Sequence, residues 1–436
     1  MRGTLRLGDH CLKIGSGATP RGGKEAYLTD GPYSLIRSQN VLNDRFSIGG
    51  LAFISQEQAD QLSNVEVQPN DVLLNITGDS VARVCQVDPV VLPARVNQHV
   101  AIIRPQPEVI DPRFLRYFMV SPEMQAHMLG LAASGATRNA LTKGMIEKFE
   151  IPAVPLPEQR AIAATLGALD DKIELNRKMN ATLEAMARAL FRDWFVDFGP
   201  TRAKMEARAP YLYPDLWALF PDRLDDEGKP EEWAFEPLLD QAEWVNGAAY
   251  KNMHFSDDPD ALPVIKIAEL KNGVTGATQR TATDLGARYL IDDGELLFSW
   301  SGNPDTSIDT FLWTGGKAWL NQHIFAVRPN GKRSKPYLHA LLKFLKPEFA
   351  ELARNKQTTG LGHVTKADMQ RMMVCAASPE VHNAFDRLIE PIFNQALGLQ
   401  TETRTLAQTR DLLLPRLMSG ELRVADLASF DQEAVA

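Results

Sequence analysis

Asn97-Gln98-His99-Val100-Ala101-Ile102-Ile103-Arg104-Pro105 is answered 224 residues later by Asn321-Gln322-His323-Ile324-Phe325-Ala326-Val327-Arg328-Pro329, with five of nine residues identical. Working outward at the same offset, Asp71-Val72-Leu73-Leu74-Asn75-Ile76-Thr77-Gly78 faces Glu295-Leu296-Leu297-Phe298-Ser299-Trp300-Ser301-Gly302. Leu141-Thr142-Lys143 aligns with Val364-Thr365-Lys366 after a slip of one residue, and Ile36-Arg37 sits opposite Ile265-Lys266. Matches in one order at nearly constant spacing identify a tandem duplication whose period is about half the chain.

Each half follows one plan. Short apolar runs at 71–76 and 100–103, and again at 295–300 and 324–327, are broken by Gly, Pro and Asn and predict strands and turns. A helical stretch follows at 113–130 and at 336–353, and each half then ends in one long helix. The first starts at Pro157-Glu158-Gln159, with proline pre-set for the first turn. Its seam is Ile162, Leu166, Leu169, Ile173, Asn176, Asn180, Leu183, Ala187, Leu190 and Trp194, in alternating steps of four and three, the heptad signature. The second starts at Ser378-Pro379-Glu380, with a seam of Phe385, Leu388, Ile392, Leu399, Leu406 and Leu413. Pro391 is expected to bend or locally break it, and Gly420 marks its end. Two such stripes in one chain predict that the helices pair, most simply antiparallel. Between the first helix and the second globular region, 199–230 carries five prolines among mixed charges and reads as a linker with little core of its own.

The 436 residues hold 47 Lys+Arg against 55 Asp+Glu, a formal charge of −8 that argues against a purely electrostatic nucleic-acid binder. Cys11, Cys85 and Cys375 are too few and too scattered for a disulfide framework or a cysteine zinc site. Neither a signal-peptide core nor a membrane-spanning apolar run is present, so a cytoplasmic protein without a membrane is expected. Enzyme motifs fail as well. Asn303-Pro304-Asp305 lacks the second proline and the aromatic of an amino-methyltransferase turn, and around Gly23-Lys24 the first glycine of a P-loop is Ala18 and its Ser/Thr is Glu25. Asp260, Glu269 and Lys271 have the form of a PD-(D/E)xK nuclease, in which two acids hold Mg²⁺. The repeat argues against it, since Asn40 and Leu42 stand opposite Glu269 and Lys271.

At this point the chain resembles a specificity (S) subunit of type I restriction–modification enzymes along nearly its whole length. Ser16-Gly17-Ala18-Thr19-Pro20 is similar to the Gly-Thr-Pro loop that opens the family's target-recognition domains. The two Asn-Gln-His phrases match one that such domains carry. Ser134-Gly135-Ala136-Thr137-Arg138, leading to Leu141-Thr142-Lys143 and Ile151-Pro152, resembles the family's Gly-Ser-Thr-Arg loop. Pro155-Leu156-Pro157-Glu158-Gln159-Arg160 and Leu414-Pro415-Arg416-Leu417-Met418-Ser419-Gly420 look like its helix start and C-terminal ending. The second half departs twice: Asn246-Gly247-Ala248 replaces the Gly-Thr-Pro loop, and Thr359-Gly360-Leu361-Gly362-His363 lacks the arginine.

The resemblance implies an α+β chain with a pseudo-two-fold tandem repeat. Two α/β target-recognition domains (1–156 and 231–378) would be separated by two long antiparallel coiled-coil helices (157–198 and 379–420), with a linker at 199–230 and a tail at 421–436. It implies that each domain reads half of a split, asymmetric target on double-stranded DNA. Two methyltransferase (M) subunits holding S-adenosylmethionine would dock on the chain, and two restriction/translocase (R) subunits using ATP and Mg would join them. The S chain itself would bind no cofactor or metal and catalyse nothing. The rivals from the residues alone are the stand-alone Mg-dependent nuclease and a coiled-coil scaffold without DNA function.

DNA grip in an acidic chain needs local basic faces. Residues 1–156 are balanced in charge, whereas 332–371 hold nine Lys/Arg against three acids. Candidate DNA contacts are Thr19, Arg21, Lys24, Arg37, Thr137, Arg138 and Lys143 in the first half, and Lys251, Lys266, Lys356, Thr359 and Lys366 in the second. Arginine suits guanine, while Asn and Gln suit adenine. His99 and His323 either belong to a turn that closes onto the following strand or touch DNA.

Overall fold

The computed structural model describes residues 3–133, 139–356 and 361–426, apart from the side chain of Lys24. The chain divides into two compact units: Met1–Lys172 with Leu406–Ala436, and Ile173–Thr405. Each unit contains its globular part together with one portion of both long helices.

In the first unit, a four-stranded antiparallel sheet runs in the order Cys11–Ser16, Val100–Pro105, Val72–Asn75, Val84–Gln86. A second sheet runs Ala52–Ile54, Tyr33–Ile36, Ala94–Val96, Glu66–Val67, and its two middle strands are parallel. The second unit repeats this strand for strand. Its antiparallel sheet is Glu243–Asn246, Ile324–Arg328, Leu296–Ser299, Asp309–Leu312, and its mixed sheet is Arg280–Thr281, Leu262–Ile265, Ala318–Leu320, Leu290–Ile291, again with a parallel middle pair. The central strand Val100–Pro105 reads as a continuous apolar run because both of its faces are covered. Ala101 and Ile103 pack with the helices, while Val100 and Ile102 join the core of the other sheet.

The helical stretch of each half is two helices rather than one: Pro112–Val120 and Pro122–Ala133, then Lys335–Phe344 and Lys346–Asn355. In the first half Ser121, the residue before Pro122, is extended, as proline disfavours helical backbone there; in the second the break falls at Leu345, and Pro347, which has no N–H to continue the preceding helix's bonding, sits in the first turn of the next.

The long helices are Leu156–Phe195 and Pro379–Ser419. Gln159 anchors the start of the first: its amide nitrogen donates to the carbonyls of Val109 and Val154, and its oxygen accepts from Asp111 N at 2.8 Å. Within the first unit Ile162 and Leu166 pack with Leu414, Leu417 and Met418. Within the second, Phe191 and Trp194 meet Phe385, and Asn176 Nδ2 donates to Glu402 at 2.8 Å. In both units low numbers on one helix meet high numbers on the other, so the pair is antiparallel.

Three local expectations are corrected. Helix 379–419 is unbroken at Pro391, because Pro391 and Arg387, whose carbonyl loses its partner, both lie on the exposed side while Ile389 and Phe393 hold the inner side. Its seam is Val381, Phe385, Ile389, Phe393, Ala396 and Leu399, and Leu388 is 37% exposed; steps of four at the start of the helix turn Leu388 outward. Residues 199–230 are not a coreless linker. Gly199–Met205 and Pro214–Trp217 are helical, and Phe198, Leu216, Leu219 and Phe220 pack into the second unit's core beside Trp194 and Trp233.

Candidate nucleic-acid interface

The repeated phrase builds the same corner in both units. Asn97 is buried, and its side-chain oxygen accepts from His99 N at 3.1 Å; Asn321 does the same for His323 at 3.4 Å. The asparagine therefore closes a turn, satisfying a backbone donor that no strand partner reaches. A glycine lies against each turn. Gly17 N donates to Val100 O and Ala18 N to Val96 O, matched by Gly247 N to Ile324 O and Ala248 N to Leu320 O. A Cβ on Gly17 would stand 1.9 Å from Val96 O, and one on Gly247 2.2 Å from Asn321 O. Asn246-Gly247-Ala248 is thus the structural counterpart of Ser16-Gly17-Ala18, although the residues that follow differ. The arginine ending each phrase clamps the acid that opens the neighbouring strand. Arg104 bonds Asp71 with two nitrogens at 2.7 and 2.8 Å, and Arg328 bonds Glu295 at 2.6 Å.

In the first unit this corner carries a chain of polar side chains. Thr19 Oγ1 donates to Gln98 Oε1 at 2.5 Å, Gln98 Nε2 lies 3.0 Å from His99 Nε2, and His99 Nδ1 lies 2.6 Å from Thr77 Oγ1. The histidine edge and Thr77 open onto a cleft of about 490 Å³ lined also by Ser38, Gln39, Gly78, Asp79, Ser80 and Arg83. Residues next to the Ser134–Arg138 phrase are tied to the same place: Asn139 O accepts from Gly78 N, and Leu141 N donates to Ile76 O at 2.9 Å. Val364 N donates to Trp300 O at 2.9 Å in the second unit, where the Trp300 ring lies tilted beside His323, 5.6 Å between centroids, and donates through Nε1 to Asn246.

The candidate contacts fall into distinct environments. Thr19 is in the polar chain. Arg21 is exposed and, among the described residues, has no side-chain partner. Arg37 lies over the Tyr27 ring and donates to Gly50 O at 2.6 Å; Lys266 lies over Phe255 and bonds Gln279, so the two equivalent cations share one setting. Lys143 is largely exposed and pairs with Glu147 at 3.5 Å, and Lys251 is exposed. Lys366 is exposed and lies 5.6 Å from the Phe325 ring. Lys356 is held by both oxygens of buried Asp368 at 2.5 Å. Burial works to raise the Asp368 carboxyl, but the hydrogen bonds from Lys356 and Thr365 outweigh it and hold it at about 2. Thr137, Arg138 and Thr359, and the side chain of Lys24, lie outside the described residues, as does the tail from 427.

The basic run 332–371 is largely spent inside its own unit. Lys343 and Lys346 share Asp309, Arg354 pairs with Asp305, and Lys332 and Arg333 approach Glu236. Two members of the nuclease triplet, Glu269 and Lys271, are likewise occupied by structural bonds, while Asp260 is exposed. Glu269 accepts from Lys266 N at 3.0 Å, capping a short helix as Asn40 does for Arg37 N, while Lys271 donates to Ser307. Among the described residues no group of His, Cys, Asp or Glu is gathered as a metal site, and no helix is long and apolar enough to cross a membrane.

Gln98, Thr77, Ser38, Gln39 and Arg83 were not among the residues singled out as contacts. The recurrence of Asn-Gln-His pointed at Gln98, but only the folded corner shows that its amide faces Thr19 and His99 while Asn97 alone closes the turn.

Two units of one topology, each with the same glycine-backed corner and sharing an antiparallel pair of long helices, define a duplicated recognition protein rather than an enzyme fold. The chain belongs to the type I restriction modification DNA specificity domain family, whose model matches residues 4–185 and 230–374. It is 25% identical to the type I restriction enzyme HindI specificity subunit of Haemophilus influenzae, over 75% of this chain and 81% of that one. It is 26% identical to the MjaIX specificity subunit of Methanocaldococcus jannaschii, over 77% and 74%. The crystal structure of a type I S subunit from M. genitalium shares the fold, with a TM-score of 0.51 over 95% of both chains at 16% identity. The chain is a DNA specificity subunit, the non-catalytic member of a type I restriction–modification system.

Proposed function

We propose that the chain reads a split, asymmetric site on double-stranded DNA, one half-target per globular region, and holds methyltransferase and restriction subunits around it. The observation that carries this is the duplicated corner. Glycine, Asn-Gln-His turn and Arg–acid clamp recur in the same topological place, so each unit is a complete reader, while the side chains around the two corners differ. Thr19 and Thr77 stand around the first corner, whereas Trp300 and Asn246 surround His323 in the second. One scaffold with two side-chain sets suits two different half-targets. The antiparallel helices, shared by both units, suit a spacer and a docking surface for two M subunits. S-adenosylmethionine would be held by M, and ATP and Mg by R.

The test is methylation sequencing of a host that carries this chain with its methyltransferase partner. A split motif is expected. Replacing only the first globular region (1–156) by that of a relative should change one half of the motif and leave the other. A motif that changes in both halves, or an undivided motif, would overturn the reading.

A further inference from the structure

We infer that Gln98 is a base-reading residue of the first unit, recognising the major-groove edge of adenine, and that Thr19 and His99 set the direction of its amide. The inference rests on the proposed half-target reading and goes below it to one side chain.

A glutamine amide offers two acceptor lone pairs on oxygen and two N–H donors. In the first unit one lone pair of Gln98 Oε1 takes the Thr19 hydroxyl at 2.5 Å, and one N–H of Nε2 faces His99 Nε2 at 3.0 Å. Among the described residues, one acceptor and one donor remain unpaired on this exposed side chain. Adenine's major-groove edge presents one donor, the N6 amino group, and one acceptor, N7, so the leftover pair is its complement; a G, C or T edge does not offer that pair to one amide. Thr77 Oγ1, 2.6 Å from His99 Nδ1, fixes the ring that fixes the amide, so the glutamine is oriented before DNA arrives. Pre-ordering removes the entropy cost of arresting a long side chain on binding.

The second unit supplies the contrast. Its matching turn holds Gln322, but the residue corresponding to Thr19 is Ala249, which has no hydroxyl. Gln322 Oε1 is buried without a hydrogen-bond partner among the described residues. Same turn and same glutamine, yet without the threonine the amide oxygen is left unsatisfied. Thr19 therefore directs the amide in the first unit, and among the described residues it has no other side-chain partner.

The test uses the full chain assembled with its methyltransferase subunits, read by methylation sequencing and by competition between targets differing at one base pair. Gln98→Ala should relax one A·T position in one half of the motif, lowering discrimination there roughly ten- to hundred-fold, and leave the other half unchanged. Gln98→Glu, which keeps the shape but can only accept, should move that position toward cytosine. Thr19→Val, nearly isosteric and far less disruptive to folding, should relax the same position more weakly, which a purely structural role for Gln98 would not produce. A motif unchanged at every position in the Gln98 variants, or relaxed in both halves, would overturn the inference. Failure of the unaltered complex to yield a split motif would instead overturn the half-target reading beneath it.

Discussion

Single residues divide into those that build the corner and those left to read. Asn97, Gly17 and Arg104 belong to the first group, and their counterparts in the second unit do the same work with slightly different surroundings. The Arg–acid clamp shows how much those surroundings matter. Asp71 is fully buried, with Arg104 only 18% exposed, whereas Glu295 and Arg328 are 20% and 29% exposed. Removing one partner of a buried pair strands a charge, which costs more than the pair itself contributes. Arg104→Met is expected to lower stability by roughly 3 kcal/mol, and Arg328→Met by roughly 1 kcal/mol. Urea unfolding of the two variants against the parent measures both, and equal losses would contradict the account. These residues were legible because they recur. Gln98 was legible only as part of a repeated phrase, since its bonds to Thr19 and His99 join positions whose sequence separation carries no period.

Among the elements, the long helices were the most legible, because a seam sustained over tens of residues outweighs local exceptions. Ile162, Leu166, Ile173 and Trp194 are buried where the alternating pattern places them. The second helix shows the limit of that reading. Leu388 and Ile389 are both apolar neighbours of the seam, and sequence alone chose the leucine. The fold turns Ile389, 1% exposed, into the core with Phe385 and Phe393. Truncating Leu388 to alanine should change stability by less than about 0.5 kcal/mol, whereas Ile389→Ala should cost about 2–4 kcal/mol through lost burial and a cavity. Thermal or urea melts distinguish them, and a costly Leu388→Ala would restore the strict heptad register. Residues 199–230 depart from the linker their sequence suggests for a related reason. Prolines at 200, 210, 214, 221 and 230 suggest a linker, but Phe198, Phe220 and Trp233 form an aromatic cluster with Trp194 that only three-dimensional packing reveals.

Across the whole molecule, the charge of −8 is spread over buried as well as exposed groups, and the two units respond to acid through different chemistry. In the first, Arg116 and Arg410 bridge Asp44 and Asp170, joined by Tyr117 OH at 2.5 Å from Asp170. Burial pushes the Asp44 carboxyl up. At Asp170 burial acts in the same direction but is outweighed by Arg116 and by the bonds from Tyr117 and Arg410, so its carboxyl is held below the usual range. Asp170 thus contributes stability that is lost only as pH falls below the ordinary carboxylate range. The second unit is sensitive at milder pH because it buries two neutral imidazoles. Burial, reinforced by Lys343, pushes His339 down to about 3, and burial with Arg333 does the same to His382, which stacks on Phe195. The unfolded chain takes up those protons near pH 6.5, while the folded chain refuses them until about pH 3. The histidines' contribution to stability is therefore constant above pH 6.5 and is lost as pH drops below it, by up to about 1.4 kcal/mol per pH unit for each histidine. The urea midpoint should be lower at pH 5 than at pH 7.5. His339→Gln and His382→Gln, whatever they do to stability at pH 7.5, should each reduce that difference. Midpoints that coincide at the two pH values in the parent chain, or a difference untouched by both substitutions, would show that the buried histidines do not control it.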